Sequence, residues 1–332
     1  MANKTTIYDV AAHAGISIAT VSRFLNSPDK VAEKTRMKIE EAMRELAFVP
    51  LAEAVARARS GIRRIGVLTP FFTAPSFVQR LRGIHEALAD THYDLITYAV
   101  DTYEQLVNYL SVLPVTGRID GLIIMSLPFT EQDVERFLLH QIPVVSLEFG
   151  LPEVSSIEID NFLGGSMAAQ YLLRRGYTKL AFLGEGGQPA YSLHATEQRL
   201  DGYRVEIAKQ GAQLLDKNVV FHEYGMEFAV ECAKKLLQQP DRPRAVFCSS
   251  DSQAIGVLKA ARILKFRIPE DVAVLGFDDI DTADYMDLST IRQSLNHSGH
   301  LAALKLLEHM DKPSTPSAKV HLSLQIIERQ TT

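Results

Sequence analysis

Apolar positions fall three and four apart near the N-terminus and gather into short unbroken runs beyond Ile65. The chain therefore reads as helices first, then as alternating strands and helices. Three helices are expected, at about 7–13, 18–25 and 33–48. In the first, Val10, Ala11 and Ala14 form a small apolar side. Thr6 is its N-cap, and Asp9 stands three residues on, as in a capping box. Gly15 suits the turn that follows, because glycine takes a positive φ without steric cost. Ser17 caps the second helix. There Val21 and Leu25 face the core of the module, and Ile18, Ala19, Ser22 and Arg23 fall on another face. Ile39, Met43 and Leu46 set the spacing of the third.

Beyond Ile62, strands are expected over 65–70, 94–100, 121–126, 143–149, 179–185, 245–250 and 272–278, with a last one at 322–327. Helices lie between them. One runs over 75–91 and carries Leu81, Ile84 and Leu88. Short apolar strands separated by helices imply parallel sheets covered on both faces. The segment is too long for one small sheet, and the pattern restarts near Asp160. The expected fold is an all-α helix-turn-helix headpiece joined to an α/β core of two doubly wound parallel-sheet subdomains. A ligand cleft is expected between them, at the C-terminal ends of the strands. The headpiece takes residues 1–49, a hinge helix or linker 50–61 and the core 62–332. Within the core, one subdomain takes about 62–160 and 291–320, the other about 161–290 and 321–329.

Charge sharpens this division. Residues 1–64 carry a net +4 and residues 65–332 a net −9. A basic module on an acidic body suits a nucleic-acid reader with a separate sensing part, although ordinary fluctuation of surface charge gives the same picture. No apolar run has membrane-spanning length, and no secretory signal is visible. The two cysteines, Cys232 and Cys248, have no metal-ligand spacing. A cytoplasmic protein without cofactor or metal is expected.

The strand ends of the core carry candidate chemistry. Ser250-Asp251 end one strand, Phe277-Asp278-Asp279 end another, and Arg199 opens a helix after a third. A planar guanidinium donates and carboxylates accept, which suits a hydroxyl-rich ligand. Asp251 and Asp278 serve equally well as helix or turn caps. Phe71, Phe72 and Phe77 are placed to stack on a ring or to pack at the rim. The chain has no GxGxxG, no GxxxxGK[ST] and no GxSxG. An enzyme is therefore not expected. A sugar-acting enzyme and the solute-binding protein of a sugar transporter remain as alternatives.

The run Thr6-Ile7-Tyr8-Asp9-Val10-Ala11, then Ala14-Gly15-Ile16-Ser17, Ala19-Thr20-Val21-Ser22-Arg23 and Leu25-Asn26, resembles the headpiece of the LacI/GalR family of bacterial transcription regulators. Val31 with Thr35-Arg36 extends the likeness. In the core, Arg82-Gly83-Ile84, Asp120-Gly121, Asp160-Asn161, Gly202-Tyr203, Gly276-Phe277-Asp278-Asp279 and Ile291-Arg292-Gln293 continue it over nearly the whole chain. The resemblance implies a periplasmic-binding-protein-like core and a homodimeric repressor of a palindromic DNA operator. It implies control by a carbohydrate-like effector and association with the nucleoid. It implies DNA contacts from Thr6, Ser17, Ile18, Ala19, Thr20, Ser22, Arg23 and Asn26. It implies effector contacts from Phe77, Arg199, Ser250, Asp278 and Gln293.

Four departures stand out. Ala32 replaces the family's usual serine, and Ser250 stands where many sugar-responsive members have asparagine. The loop from Gly184 to Arg199 is about four residues longer than usual. The hinge reads PLAEAVARARSG, with Pro50 suited to a helix start and Gly61 to its stop. The family usually has asparagine after this proline and, seven residues after it, a leucine that wedges between base pairs. Leu51 and Arg57 occupy those positions. Arg57 and Arg59 are expected in a narrow, electronegative minor groove instead, a solvated linker being the alternative. The chain shows no heptad tail after its last strand, so a dimer is expected rather than a tetramer.

Overall fold

The computed structural model describes residues 6–26, 30–46, 63–186, 191, 193–223 and 225–332. Helices α1 (Ile7–Ala14), α2 (Ile18–Asn26) and α3 (Glu33–Glu45) form the headpiece. Both halves of the capping box are present. The Thr6 hydroxyl accepts from the Asp9 amide, and the Asp9 carboxylate accepts from the Thr6 amide at 2.7 Å. Gly15 ends α1 at φ 65°. The Ser17 hydroxyl accepts from the Thr20 amide at 3.2 Å, capping α2. Val10, Val21 and Ile39, one from each helix, are fully buried against one another's cluster. Phe24 packs on that cluster from α2. The Leu25 side chain lies outside the described residues, as do 47–48 at the expected end of α3.

The core then alternates β1 (Arg63–Thr69), α4 (Pro75–Leu88), β2 (Tyr93–Ala99), α5 (Tyr103–Thr116), β3 (Gly121–Met125), α6 (Glu131–Leu139), β4 (Val144–Leu147) and β5 (Ser155–Glu158). It continues with α7 (Asn161–Arg174), β6 (Leu180–Glu185), α8 (Ala195–Lys209), β7 (Val219–His222), α9 (Met226–Leu237), β8 (Ala245–Cys248), α10 (Asp251–Ile263) and β9 (Ala273–Leu275). Last come α11 (Asp281–Tyr285), β10 (Thr290–Arg292), α12 (Leu295–Asp311), β11 (Lys319–His321) and β12 (Gln325–Ile327).

Six strands make one parallel sheet in the order β11-β5-β4-β3-β1-β2, and four make a second in the order β7-β6-β8-β9. The central strands of each are buried on both faces, because alternate residues of a strand point to opposite sides and both sides are covered. Ile65, Val67, Ile123 and Met125 pack toward α4 and α12. Leu68, Leu122 and Ile124 pack toward α5 and α6. The β10–β12 ribbon lies beside the second sheet, where the Gly276 and Asp278 amides donate to the Ser289 and Ile291 carbonyls.

Several strands stop earlier than their sequence runs. Glu148, Ser249-Ser250 and Gly276-Asp278 all fall past strand ends. The polar strand β5 carries no apolar run and was not expected, and neither were β7 and β10. The expected terminal strand at 322–327 is shortened to β12, on the ribbon beside the second sheet, and β11 just before it, on the first sheet, is a further unexpected strand.

Two helix pairs cross at reciprocal glycines. On α7 and α8, a Cβ at Gly165 would lie 1.9 Å from the Arg199 carbonyl oxygen, and one at Gly202 would lie 1.9 Å from that of Phe162. On α4 and α12, a Cβ at Gly83 would meet the Asn296 oxygen at 1.9 Å, and one at Gly299 the Arg80 oxygen at 2.0 Å. Only glycine permits such approach. No helix among the described residues is long and apolar enough to cross a membrane.

Candidate functional site

The C-terminal ends of both sheets converge on a cavity of about 140 Å³. Phe71, Ser126 and Glu148 line it from the first sheet, and Glu185, Ser250 and Asp278 from the second. Four of these hold positive φ without being glycine: Phe71 at 44°, Ser126 at 54°, Glu148 at 70° and Asp278 at 122°. Side chains seldom take that region unless the surrounding structure enforces it. Here it turns each side chain off the end of its strand and into the cleft.

A charged relay crosses the cavity. Arg80 of α4 is ion-paired with Glu148 and donates to Gln293 Oε1 at 2.9 Å. Gln293 Nε2 donates onward to Asp278 Oδ1. One glutamine thus joins an arginine of the first half to a carboxylate of the second. Ser126 donates its hydroxyl to the other oxygen of Glu148. Arg199 of α8 donates through Nε to Asn161 Oδ1 at 2.9 Å and through Nη1 to the Ser249 carbonyl at 2.5 Å. It lies 3.8 Å from Asp278 and stacks 3.7 Å above the Phe277 ring.

Burial and charge divide the carboxylates. Burial pushes Glu148 up, but Arg80, the Ser126 hydroxyl and Arg199 together hold it below its ordinary value. Asp278 is raised to about 6, burial outweighing the opposite pull of Arg199 and Arg80. Glu185 is raised to about 7 by burial and by the nearby Asp278 charge, with the Gly225 backbone offsetting part. The folded chain therefore retains a proton on Glu185 that the unfolded chain releases near pH 4.5. The contribution of Glu185 to stability falls as pH rises from 4.5 toward 7. Glu185→Gln is expected to flatten that fall, so that it raises the melting temperature more at pH 8 than at pH 5. Melting curves at the two pH values check this, and an equal shift at both would contradict it.

All five expected effector residues, Phe77, Arg199, Ser250, Asp278 and Gln293, line this one cavity. Ser250 also caps α10, accepting from the Gln253 amide at 3.4 Å. The two aspartates part ways. Asp278 faces the cavity, whereas Asp251 is wholly buried behind it, accepting from the Ile280 amide at 2.9 Å and the Thr290 hydroxyl at 2.5 Å. Phe71 joins Phe77 at the rim in an edge contact, while Phe72 is turned to solvent. Arg80, Ser126, Glu148 and Glu185 are additions to the sequence reading. Arg80 had a signal: with Phe77 and Ile84 it sits at helical spacing on a buried face, where a charge demands a partner.

In the headpiece, Thr6, Ser17, Ile18, Ala19 and Arg23 are exposed, and Thr20 and Ser22 are half-buried. Opposite the buried Val21, the outer side of α2 presents Ile18, Ala19 and Arg23. The Thr6 hydroxyl is engaged in its cap, and that of Ser17 meets the Thr20 hydroxyl at 2.8 Å. The Asn26 side chain and Arg57 lie outside the described residues.

Residues 6–50 match the family described as bacterial regulatory proteins, lacI family, and residues 169–332 match the periplasmic binding protein-like domain. The chain is 32% identical to the HTH-type transcriptional repressor PurR of Vibrio atlanticus (strain LGP32), over 98% of each protein. It is 25% identical to the lac repressor dimer bound to operator and the anti-inducer ONPF, with a TM-score of 0.68 over 99% of each chain. It is also 25% identical to a LacI family transcriptional regulator from Enterococcus faecalis V583 with bound ribose. That match has a TM-score of 0.70 and covers 81% of this chain and 98% of the other.

Proposed function

The chain belongs to the lacI family of bacterial regulatory proteins, and from that premise we propose that it is an operator-binding repressor. Its effector is a small polyhydroxylated molecule of the sugar class, held in the cleft between the two sheets. It is a transcription regulator and not an enzyme. The observation that carries the effector reading is the relay Arg80–Gln293–Asp278. It spans the cleft, and its donors and acceptors converge on the cavity that Arg199 and Phe77 also line. Ligand hydroxyls satisfy such groups from both halves at once.

We divide the chain into a headpiece of residues 1–49, a hinge of 50–61 and a two-part core. We assign it a homodimeric state on a palindromic site, as in the lac repressor dimer bound to operator. Its place of action is the cytoplasm, on the nucleoid. A ligand that binds one angle between the halves better than another shifts the population, and the hinge conveys the change to the headpieces. The test is to select bound duplexes from a randomised pool, then titrate sugars against the resulting complex by fluorescence anisotropy. A complex that no polyhydroxylated compound strengthens or releases would overturn the reading.

We further propose that α2 enters the major groove. Thr6, Ser17, Thr20 and Asn26 then reach the backbone, while Ile18, Ala19, Ser22 and Arg23 face bases and phosphates. Arg57 is assigned to the minor groove. Arg23→Ala and Arg57→Ala are each expected to lower operator affinity about tenfold or more and to reduce the salt slope by about 1 if the contact is to phosphate. Titrations at several salt concentrations check both.

A further inference from the structure

Glu185 is the acidic group of the cleft to which the proposed function gives no role. It ends β6 and lines the cavity beside Ser250. The other two carboxylates there have cations: Glu148 is paired with Arg80, and Asp278 lies 3.8 Å from Arg199. No ion pair reaches Glu185 among the described residues. It accepts from Gln253 of α10, whose Nε2 donates to Oε1 at 2.5 Å, and from the Gly225 backbone, both of them uncharged donors. The Oε1 of that same glutamine is buried and has no hydrogen-bond partner among the described residues. The adjoining residues 187–190 and 192 contain no basic side chain.

The groups around it do not supply a cation either. Asp278, past β9, adds a like charge. Arg199 of α8 is committed to Asn161, Ser249 and Asp278. His194, at the start of α8, lies 3.6 Å from Glu197. His222 is level with Glu185 on β7, with Nδ1 2.6 Å from the Glu223 carbonyl. Asp251 of α10 is spent on Ile280 and Thr290. Three carboxylates therefore face the cavity against two guanidiniums, and Glu185 has no counter-ion among the described residues.

We infer that the cleft takes an effector carrying an ammonium group, an amino sugar or a similar polyhydroxylated amine, with the ammonium seated on Glu185. The inference rests on the sugar-class reading above and narrows it. A compact ammonium brings three donors and one positive charge. Glu185 and the Ser250 hydroxyl offer acceptors at the same end. An acidic sugar would bring a fourth acidic group to the cavity, with both arginines already engaged. Seating a cation also favours the ionised carboxylate, so binding near neutral pH releases a proton from Glu185.

The test is titration calorimetry of the full chain at pH 7 in two buffers of different ionisation enthalpy. The probes are glucosamine, galactosamine and mannosamine, their neutral parents, and glucuronate. At least one amino sugar is expected to bind about tenfold or more tighter than its parent, with proton release, as a charge-assisted contact warrants. In Glu185→Gln that ratio should fall to about twofold and the proton release should vanish. Glu185→Ala repeats the measurement if the glutamine variant does not fold, and operator binding by the same samples reports folding. If neutral sugars bind as tightly as every amine, or the preference survives both variants, the inference fails while the sugar-class reading stands. If none of these compounds binds, the inference fails, and the sugar-class reading is decided separately by the wider anisotropy titration.

Discussion

Arg199→Ala is expected to weaken effector binding by at least about a hundredfold and to leave the operator complex insensitive to effector, the usual scale for stripping one partner from a buried, hydrogen-bonded charge. Arg199 is buried, and Nε, Nη1 and one face of its guanidinium are engaged. It bonds Asn161 at the start of α7, bonds the Ser249 carbonyl at the end of β8, approaches Asp278 and stacks on Phe277. Removing it takes away the positive charge that most opposes the effect of burial on Asp278. Asp278 would then hold its proton to higher pH and lose its strength as an acceptor. Arg199→Lys should rescue little, because a point charge cannot replace a planar fork that serves three partners. Calorimetry with the effector and anisotropy with the operator measure the two losses. An alanine variant that responds within about threefold of the parent chain would contradict the assignment.

Gly165→Val and Gly299→Val are expected to destabilise the core by about 3 kcal/mol or more each, at the severe end of overpacking. The added atoms would meet main-chain oxygens at 1.9 Å and 2.0 Å, and a main chain cannot step aside as a side chain can. The oxygens belong to Arg199 and Arg80, the two arginines of the cleft. Forcing either helix pair apart therefore moves a ligand-binding residue as well as lowering stability. Gly211→Ala is the contrast. Gly211 has φ 72° and nothing within 4 Å of a built Cβ, so only backbone strain of about 1 kcal/mol applies. Urea titration of the three variants ranks them. Equal midpoints for Gly165→Val and Gly211→Ala would show that the close crossing is not what glycine serves at 165.

Local patterns in the chain carry much of this architecture. The capping box at Thr6 and Asp9, the turn at Gly15 and the cap at Ser17 are read from residues three apart or fewer, and each is present as expected. The strand–helix alternation is equally local, since an apolar run of four to seven residues between polar turns is buried on both faces. Strand ends are not local in this sense. The runs through Glu148, Ser250 and Asp278 continue to look like strand, yet the backbone leaves the sheet because the cleft begins there. The strand β5, Ser155–Glu158, was illegible for the converse reason. Its two serines are buried by strands β4 and β11 on either side, not by any apolarity of their own.

By itself, then, the sequence determined a three-helix headpiece, two wound sheets and, with the family resemblance, a set of cleft candidates at strand ends and on the helices that follow: Phe77, Arg199, Ser250, Asp278 and Gln293. The tertiary structure alone decided how those residues are charged and partnered. It brought Arg80 to Glu148 across 68 positions of sequence and to Gln293 across 213. It buried Asp251 as a structural acceptor while leaving Asp278 facing the cavity, and among the described residues it left Glu185 without a cation. Periodicity reports which face of an element is covered. Which strand ends meet, and which charge then lacks a partner, depends on two sheets folding toward each other.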